Sequence, residues 1–358
     1  MWRSSRAGSL PSDLLNVGVA LVAAMLTVHV VGAALTEESS LPGKFSYLRD
    51  RGDRFDVIFV GTSRTLYQVD PTHFDRRTAL LGLPTRSFNF GLVGGKLTEV
   101  DYTVRWVLDR ESENLEWLVV ELNRLNPLTA EKNRNNDRVI RWHSLRRTLL
   151  ASIGPFGEHI GAIERSQTIL DHWRQFGLRA LRVGSLARAF ESSLSGNTTD
   201  PFPVYGSEYD GFVSLDASRP HPAKRRNREW KQAFEEIAKN HRRITETKPS
   251  ESDEPPLSFA TRNLVLGIQR ACAKRGVGIV FVIPPVFERW DAFTKMGERG
   301  EIENLFSFND PFAHPGLFNP RNRWNVGHLN ARGAKIYSRA LAEAFVEMRR
   351  VRSPSQSS

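Results

Sequence analysis

The protein has 358 residues, of which 40% are hydrophobic and 25% are charged, with 50 Lys and Arg against 40 Asp and Glu. These values are typical of a globular chain and exclude a mainly disordered protein, a membrane protein with many spans and a collagen-like fibre. The single cysteine, Cys272, excludes an intrachain disulfide framework. The formal charge of +10 would suit a nucleic-acid-binding protein, so that class has to be weighed against the motifs.

Near the N-terminus, residues 14–35 form a run of 22 residues without a charged side chain. A helix of that length spans about 30 Å, the thickness of the hydrocarbon layer of a bilayer. Two arginines precede the run, whereas two glutamates follow it. Because positive charge stays on the cytoplasmic side, we predict a cytoplasmic tail at 1–13, a transmembrane anchor at 14–35 and an exported, extracytoplasmic remainder. A cleaved signal peptide is the alternative, since small residues end the run.

Beyond a polar stalk predicted at residues 36–54, short apolar runs alternate with segments of helical periodicity. The apolar runs predict buried strands at residues 56–61, 87–91, 116–122 and 278–284. Apolar spacings of three and four residues predict helices at residues 96–110, 258–274 and 331–349. This alternation predicts an α/β fold with a parallel central sheet covered by helices.

A long insertion separates the third and fourth predicted strands. Residues 139–195 are basic with a helical pattern, whereas residues 196–256 are rich in Pro, Ser and charge. We therefore predict one domain at residues 55–350, interrupted by a mainly helical and irregular insertion at 139–256 and followed by a disordered tail at 351–358.

A basic stretch at residues 219–228 contributes to the positive charge of the insertion. It lacks interleaved aromatic residues and belongs to no recognised nucleic-acid module, so we predict no nucleic-acid partner. A solvated loop is the first interpretation, and attraction to an anionic membrane or an acidic polysaccharide is the second.

Distinctive residues follow the first three predicted strands and precede the last predicted helix. The three strands lead into GTSR (61–64), NFGLVG (89–94) and ELNR (121–124), and WNVGH (324–328) precedes the helix. The carboxyl ends of parallel strands meet at one edge of the sheet, where functional groups collect. The order and placement of these segments predict a single site built from all four.

These four segments, in this order, resemble the sequence blocks of the SGNH (GDSL-like) hydrolase and acyltransferase superfamily. The similarity is greatest to membrane-anchored proteins that acylate envelope polymers beside a membrane-bound O-acyltransferase. The resemblance covers residues 56–125 and 278–348. It implies a flavodoxin-like SGNH three-layer sandwich and a serine-dependent reaction that needs no cofactor. It also implies an acyl donor, a glycan acceptor and a membrane-bound O-acyltransferase as partners.

The resemblance also assigns roles to individual residues. Ser63 would be the nucleophile, His328 would be its general base, and Asn325 would stand where the family usually has aspartate. The Ser63 backbone amide would form the oxyanion hole with Gly94 and Asn123. Serine is a weak nucleophile and needs such an adjacent base, and one oxyanion donor is worth about 100–1,000-fold in rate. The structural alternatives are that Ser63 caps a helix and that Asn123 serves a turn.

Three positions depart from the family pattern: Thr62 replaces the aspartate of the first block, as is common in the envelope-acylating branch, Glu121 replaces a glycine of the third block, and Asn325 replaces the aspartate of the last block. An amide orients the imidazole but does not stabilise its charged form as a carboxylate does. The consequence is a slower dyad, a different acid near His328, or a site without catalysis. Asp310 is the first candidate for that acid, with a turn role before proline as its alternative.

Two arginines beside the predicted site, Arg64 and Arg124, are candidates for binding an anionic substrate, with solvated side chains as the alternative. The histidines show no metal-ligand spacing, so we predict no metal. Together, the predicted anchor and the resemblance imply an exported, membrane-anchored O-acyltransferase that acts on a cell-envelope polysaccharide or exopolysaccharide. The alternatives are an SGNH esterase and a catalytically inactive binding or assembly subunit.

Overall fold

The computed structural model describes residues 43–110, 112–123, 137–157, 161–180, 210–218, 235, 239, 257–288 and 290–352. The predicted cytoplasmic tail and anchor, at 1–13 and 14–35, lie outside these residues. Most of the predicted C-terminal tail lies outside them as well. In the described part of the chain, no helix is both long enough and apolar enough to cross a membrane.

Five parallel strands form the central sheet, in the order β2-β1-β3-β4-β5. They are β1 Val57–Gly61, β2 Ser87–Gly91, β3 Trp117–Glu121, β4 Gly278–Ile283 and β5 Leu305–Ser307. The first four confirm the predicted strands. The sequence pattern does not reveal β5, because this edge strand has only three residues and all of them are half-buried. The α/β class is confirmed, and the strand order is compatible with a flavodoxin-like fold.

Helices cover both faces of the sheet. In the described residues they are α1 Gly43–Arg51, α2 Ser63–Gln68, α3 Pro71–Leu80, α4 Leu97–Leu108, α5 Asp137–Trp142, α6 Leu145–Ile153, α7 Ala162–Ala180, α8 Leu215–Ser218, α9 Phe259–Lys274, α10 Asp291–Glu298, α11 Pro315–Phe318 and α12 Ala331–Arg352. One core lies between the sheet and α4 with α9, and the other lies between the sheet and α3 with α12. Successive strand residues point to opposite cores, which explains why the strands are apolar throughout.

The described part of the predicted stalk belongs to the folded domain. Helix α1 places Phe45 in the core, and Lys44 is only 4% exposed. Lys44 Nζ donates to the carbonyl oxygens of Asn89 (2.7 Å) and Gly91 (3.0 Å), on the outer edge of β2. Burial lowers the pKa of Lys44 well below its usual value. The domain therefore includes α1 and does not begin at residue 55, and α1 protects an edge strand from further pairing.

Part of the predicted surface insertion also packs on the domain. In the segment 210–218, the carbonyl oxygen of Asp210 accepts from a β2 amide at 2.8 Å, and the Val213 amide donates to Leu66 of α2 at 3.2 Å. Leu215 is 3% exposed and packs against α2. The Asp216 carboxylate accepts the amide of the first residue of α12 at 2.7 Å. This segment therefore contacts elements that border the carboxyl edge of the sheet.

Candidate active site

The candidate nucleophile lies where β1 turns into α2. Thr62 has extended backbone angles and its side chain accepts the Arg64 amide at 3.2 Å, so Thr62 is the N-cap of α2. Ser63 is the first helical residue. The helix approaches β2 closely enough that a Cβ on Gly91 would overlap the Leu66 amide nitrogen. Because Thr62 provides the cap, the Ser63 hydroxyl is available to another partner.

That partner is His328. Ser63 Oγ lies 3.0 Å from His328 Nε2, although 265 positions separate the two residues. His328 begins β7 (His328–Leu329), which pairs with β6 (Arg323–Asn325) in a short antiparallel sheet before α12. The Tyr67 ring packs edge-on against the imidazole, with ring centroids 5.8 Å apart. The fold thus brings the first and last sequence blocks into hydrogen-bond contact.

The imidazole is oriented by Asn325. His328 Nδ1 lies 3.1 Å from Asn325 Oδ1, which also accepts the Gly327 amide at 2.9 Å. A backbone N–H can only donate, so the atom it faces is the amide oxygen of Asn325. The same oxygen then accepts from Nδ1–H, which leaves the Nε2 lone pair for the Ser63 hydroxyl. Neutral His328 is therefore held in the tautomer that a general base requires.

Asp310 has a different position from the one expected of an alternative acid. Its side chain is exposed, and Oδ1 accepts the backbone amides of Phe312 (2.8 Å) and Ala313 (3.3 Å). These bonds stabilise a local turn, as aspartate commonly does. Asn325, and not Asp310, provides the oxygen beside His328 Nδ1.

One backbone amide at the start of α2 has no protein acceptor in the described part of the chain. The amides of Thr62 and Thr65 donate to Glu121, and the Arg64 amide donates to Thr62 Oγ1. The Ser63 amide makes no such bond within the described residues. It therefore remains available to an acceptor atom of a ligand.

Gly94 and Asn123 lie on the loops that flank this turn, because β1 lies between β2 and β3. Gly94 has a φ of 67°, a left-handed conformation that favours glycine. A Cβ on its neighbour, Gly95, would lie 3.6 Å from Thr62 Cα, so this loop passes close to the turn. Asn123 is half-buried, and its side chain makes no hydrogen bond with the residues that the structure describes. Both predicted oxyanion donors thus lie at the same edge as Ser63.

Arg64 is engaged by protein groups. Its Nε donates to Glu121 at 3.1 Å, and its guanidinium lies over the Trp290 ring, 5.3 Å from the centroid. The side chain is 19% exposed. These contacts give Arg64 a structural role, whether or not it also binds a substrate. Arg124, the other predicted substrate-binding arginine, lies outside the described residues.

Two site residues have no obvious functional sign in the sequence, and the first is Glu121. In the sequence it stands out only because the SGNH blocks that this chain resembles have glycine there. In the structure it is 4% exposed and accepts hydrogen bonds from the turn that carries Ser63. The available signal is a carboxylate that ends an otherwise apolar run. A buried carboxylate requires paired donors, which points to a role at this strand end.

The second such residue is Arg323, at the start of β6. It is 1% exposed, and its guanidinium donates to the carbonyl oxygens of Pro285 (3.2 Å) and Leu317 (3.0 Å), and also to that of Val326. Burial lowers its pKa to about 9. Arg323 thus ties the hairpin that carries Asn325 to the loop after β4. No sequence signal identifies it, because arginine is normally exposed.

In the part of the chain that the structure describes, no group of three or more His, Cys, Asp or Glu side chains could hold a metal ion. Neither the protein-family models nor the curated proteins give a match to this chain. The interpretation of the site therefore depends on its own residues.

Proposed function

We propose that the protein is an exported, membrane-anchored, serine-dependent O-acyltransferase of the SGNH type that acts on a cell-envelope polysaccharide or exopolysaccharide. The observation that carries the chemical part is the chain of contacts from Ser63 Oγ to His328 Nε2 (3.0 Å) and from His328 Nδ1 to Asn325 Oδ1 (3.1 Å). Nucleophile, base and orienting group are therefore all within hydrogen-bond reach.

In the proposed reaction, Ser63 Oγ attacks the acyl carbonyl carbon of the donor while its proton passes to His328 Nε2. The carbonyl oxygen becomes an oxyanion that accepts from the Ser63 amide, with Gly94 and Asn123 as the further donors. Collapse breaks the bond to the leaving group, which takes the proton from His328, and leaves the acyl group on Ser63. An acceptor hydroxyl then attacks the acyl-enzyme with His328 again as base, and Ser63 is restored.

Transfer and hydrolysis share this acyl-enzyme and differ in whether a glycan hydroxyl or water attacks it. Two features of the sequence support transfer: the predicted anchor at residues 14–35 and the resemblance to envelope-acylating proteins. An anchor would also keep the site beside a membrane-bound O-acyltransferase, the proposed partner. Hydrolysis by an SGNH esterase is the alternative outcome of the same chemistry.

One observation favours a second candidate, a catalytically inactive binding or assembly subunit. The oxygen 3.1 Å from His328 Nδ1 belongs to the Asn325 amide, and an amide gives the imidazolium less stabilisation than a carboxylate does. However, a purely binding role does not require an oriented Ser63–His328 pair or a Ser63 amide that lacks an acceptor among the described residues. These retained features support the enzyme.

The test uses the full-length protein in detergent with p-nitrophenyl acetate as the activated donor. We expect the wild type to release p-nitrophenol and to carry an acetyl group on the peptide that contains Ser63. Ser63→Ala should lower the rate by about 1,000-fold or more. Ser166→Ala, at an exposed position of α7, is the matched control and should keep full activity. Equal release by the wild type and Ser63→Ala would remove Ser63 as the nucleophile.

Addition of a soluble oligosaccharide then separates transfer from hydrolysis. We expect an acceptor glycan to increase p-nitrophenol release and to gain an acetyl ester that mass spectrometry detects. Release of acetate without acetylated glycan would favour the esterase.

A further inference from the structure

A buried carboxylate holds both sides of the turn that carries Ser63. Glu121 Oε2 accepts the backbone amides of Thr62 (2.8 Å) and Thr65 (3.1 Å), together with the Thr65 hydroxyl (2.7 Å). Glu121 Oε1 accepts the Thr62 hydroxyl (2.7 Å) and Arg64 Nε (3.1 Å). One side chain at the end of β3 therefore binds the residue before Ser63 and the two residues after it.

The surroundings leave room for this carboxylate only because residue 61 is glycine. A Cβ on Gly61 would lie 2.6 Å from Glu121 Oε2 and would overlap Thr65 Oγ1. The last residue of β1 and the last residue of β3 are therefore matched to each other. A Gly–Glu pair on neighbouring strands is what places a carboxylate under the first turn of α2.

The charge of Glu121 is compensated where it lies. A buried carboxylate is tolerated when donors satisfy its oxygens, and here one of the donors is the guanidinium of Arg64. The positive charge of Arg64 also reduces the repulsion between Glu121 and an oxyanion at Ser63. Burial, with a smaller contribution from the charge of Glu121, raises the pKa of Tyr337 well above its usual value.

We infer that Glu121 is a positioning residue for the nucleophile, an inference that rests on the proposed serine chemistry. By holding residues 62 and 65, it keeps the Ser63 hydroxyl in line with His328 Nε2. By accepting the amides of Thr62 and Thr65, it also leaves the Ser63 amide as the one backbone donor of residues 62–65 that is unpaired within the described residues. Glu121 thus selects which amide receives the oxyanion.

The test compares Glu121→Gln with the wild type in the full-length protein. Glutamine keeps the shape but has one acceptor oxygen, so its NH2 group would face donors that Glu121 now satisfies. We expect kcat to fall about 100-fold, the cost of a misplaced reacting group, while KM stays within about twofold because substrate contacts are unchanged. Thr65→Val, which removes one hydroxyl donor and keeps the side-chain shape, should lower kcat about 10-fold with unchanged KM, in line with the loss of roughly one hydrogen bond.

The matched control is Asp101→Asn. Asp101 is a fully buried carboxylate on α4 that accepts from Arg147 at 2.7 Å and Arg105 at 3.0 Å, outside the turn. The loss of this negative charge should lower the free energy of unfolding and leave kcat unchanged. Folding of every variant is monitored through Cys272, whose thiol is buried with a pKa raised by burial to about 12 and should stay unreactive in folded protein.

The outcomes separate this inference from the proposed function. A wild type without Ser63-dependent turnover would overturn the serine chemistry itself. Unchanged kcat in folded Glu121→Gln, beside an active wild type, would overturn the positioning role alone. The positioning role would also be overturned if kcat fell no further in Glu121→Gln than in Asp101→Asn, because both decreases would then reflect a general loss of structure. If Glu121→Gln does not fold, Thr65→Val becomes the test, and an unchanged kcat in that variant would overturn the positioning role of Glu121.

Discussion

Asn325 Oδ1 accepts two hydrogen bonds, one from His328 Nδ1 at 3.1 Å and one from the Gly327 amide at 2.9 Å. The backbone bond determines the orientation of the amide, and the amide determines the tautomer of the imidazole. This arrangement reproduces the orienting function of a triad carboxylate without its charge.

Asn325→Asp should therefore increase activity. A carboxylate would keep the bond to Nδ1 and would stabilise the imidazolium that forms when Ser63 loses its proton. We expect kcat to rise about 10-fold, since a charged hydrogen bond exceeds a neutral one by roughly 1 kcal/mol. The acid limb of the pH–rate profile should also move to higher pH, because a nearby negative charge raises the pKa of the histidine. A variant with lower kcat and an unmoved acid limb would contradict this prediction.

Arg323→Lys should loosen the hairpin that carries Asn325 and His328. The lysine ammonium keeps the charge but cannot span the separate carbonyl oxygens that the guanidinium reaches. We expect a loss of about 3 kcal/mol in the free energy of unfolding, the value of two hydrogen bonds to a charged group, and a lower kcat. Urea unfolding measures the first quantity and p-nitrophenyl acetate turnover measures the second.

The control for that change is Arg299→Lys, directly after α10. Arg299 is 71% exposed and lies 4.0 Å from Glu301, so the substitution should cost less than about 0.5 kcal/mol. Equal losses for the two variants would show that the buried guanidinium has no special role.

Gly61→Ala should disrupt the turn that carries Ser63. The added Cβ would overlap Thr65 Oγ1 and would lie 2.6 Å from Glu121 Oε2, and neither group can move without losing its hydrogen bonds. We expect the free energy of unfolding to fall by about 2 kcal/mol or more, as for an overpacked core, together with loss of turnover. Gly177→Ala in α7, where nothing lies within 4 Å of the new Cβ, should instead gain about 0.5–1 kcal/mol. A stable, active Gly61→Ala protein would contradict the tight fit.

Acid should destabilise the protein through His143. The side chain is fully buried, its Nδ1 lies 2.8 Å from the Val139 carbonyl oxygen, and its Nε2 lies 3.1 Å from Nδ1 of His172 on α7. Burial, with smaller contributions from the charges of His172 and Arg179, lowers the pKa of His143 from 6.5 to about 3. The unfolded chain therefore binds this proton first, and stability falls as the pH drops through the interval between these two values.

The expected slope is about 1.4 kcal/mol per pH unit below the unfolded pKa. Urea unfolding of the wild type and His143→Leu at pH 7, 6 and 5 measures it. The variant should be less stable at pH 7 but should lose less stability towards pH 5. Parallel losses in the two proteins would show that other groups carry the acid sensitivity.

The central strands and the edge of the sheet that holds the candidate site were predictable from the amino-acid sequence. The apolar runs that form β1, β2, β3 and β4 are long enough to identify, since each strand is buried on both faces. The distinctive residues follow three of those strands, and parallel strands bring such residues to one edge. Local composition did not predict that α1 packs on the domain, because contacts of Phe45 and Lys44 hold this charged helix in place. It did not predict β5 either, because this strand is too short to form a recognisable pattern.

The contacts between individual atoms at the site could be read only from the folded protein. Thr62 caps α2, so the Ser63 hydroxyl contacts His328 instead. Asn325, and not Asp310, lies beside His328 Nδ1. The Glu121 carboxylate lies under the turn that carries Ser63. The bonds from Glu121 to the turn and from Ser63 to His328 join residues 56 to 265 positions apart, whereas the Thr62 cap and the Asn325–His328 contact are local. Hydrogen bonds depend on distances of a few tenths of an ångström, and residue order along the chain does not specify those distances.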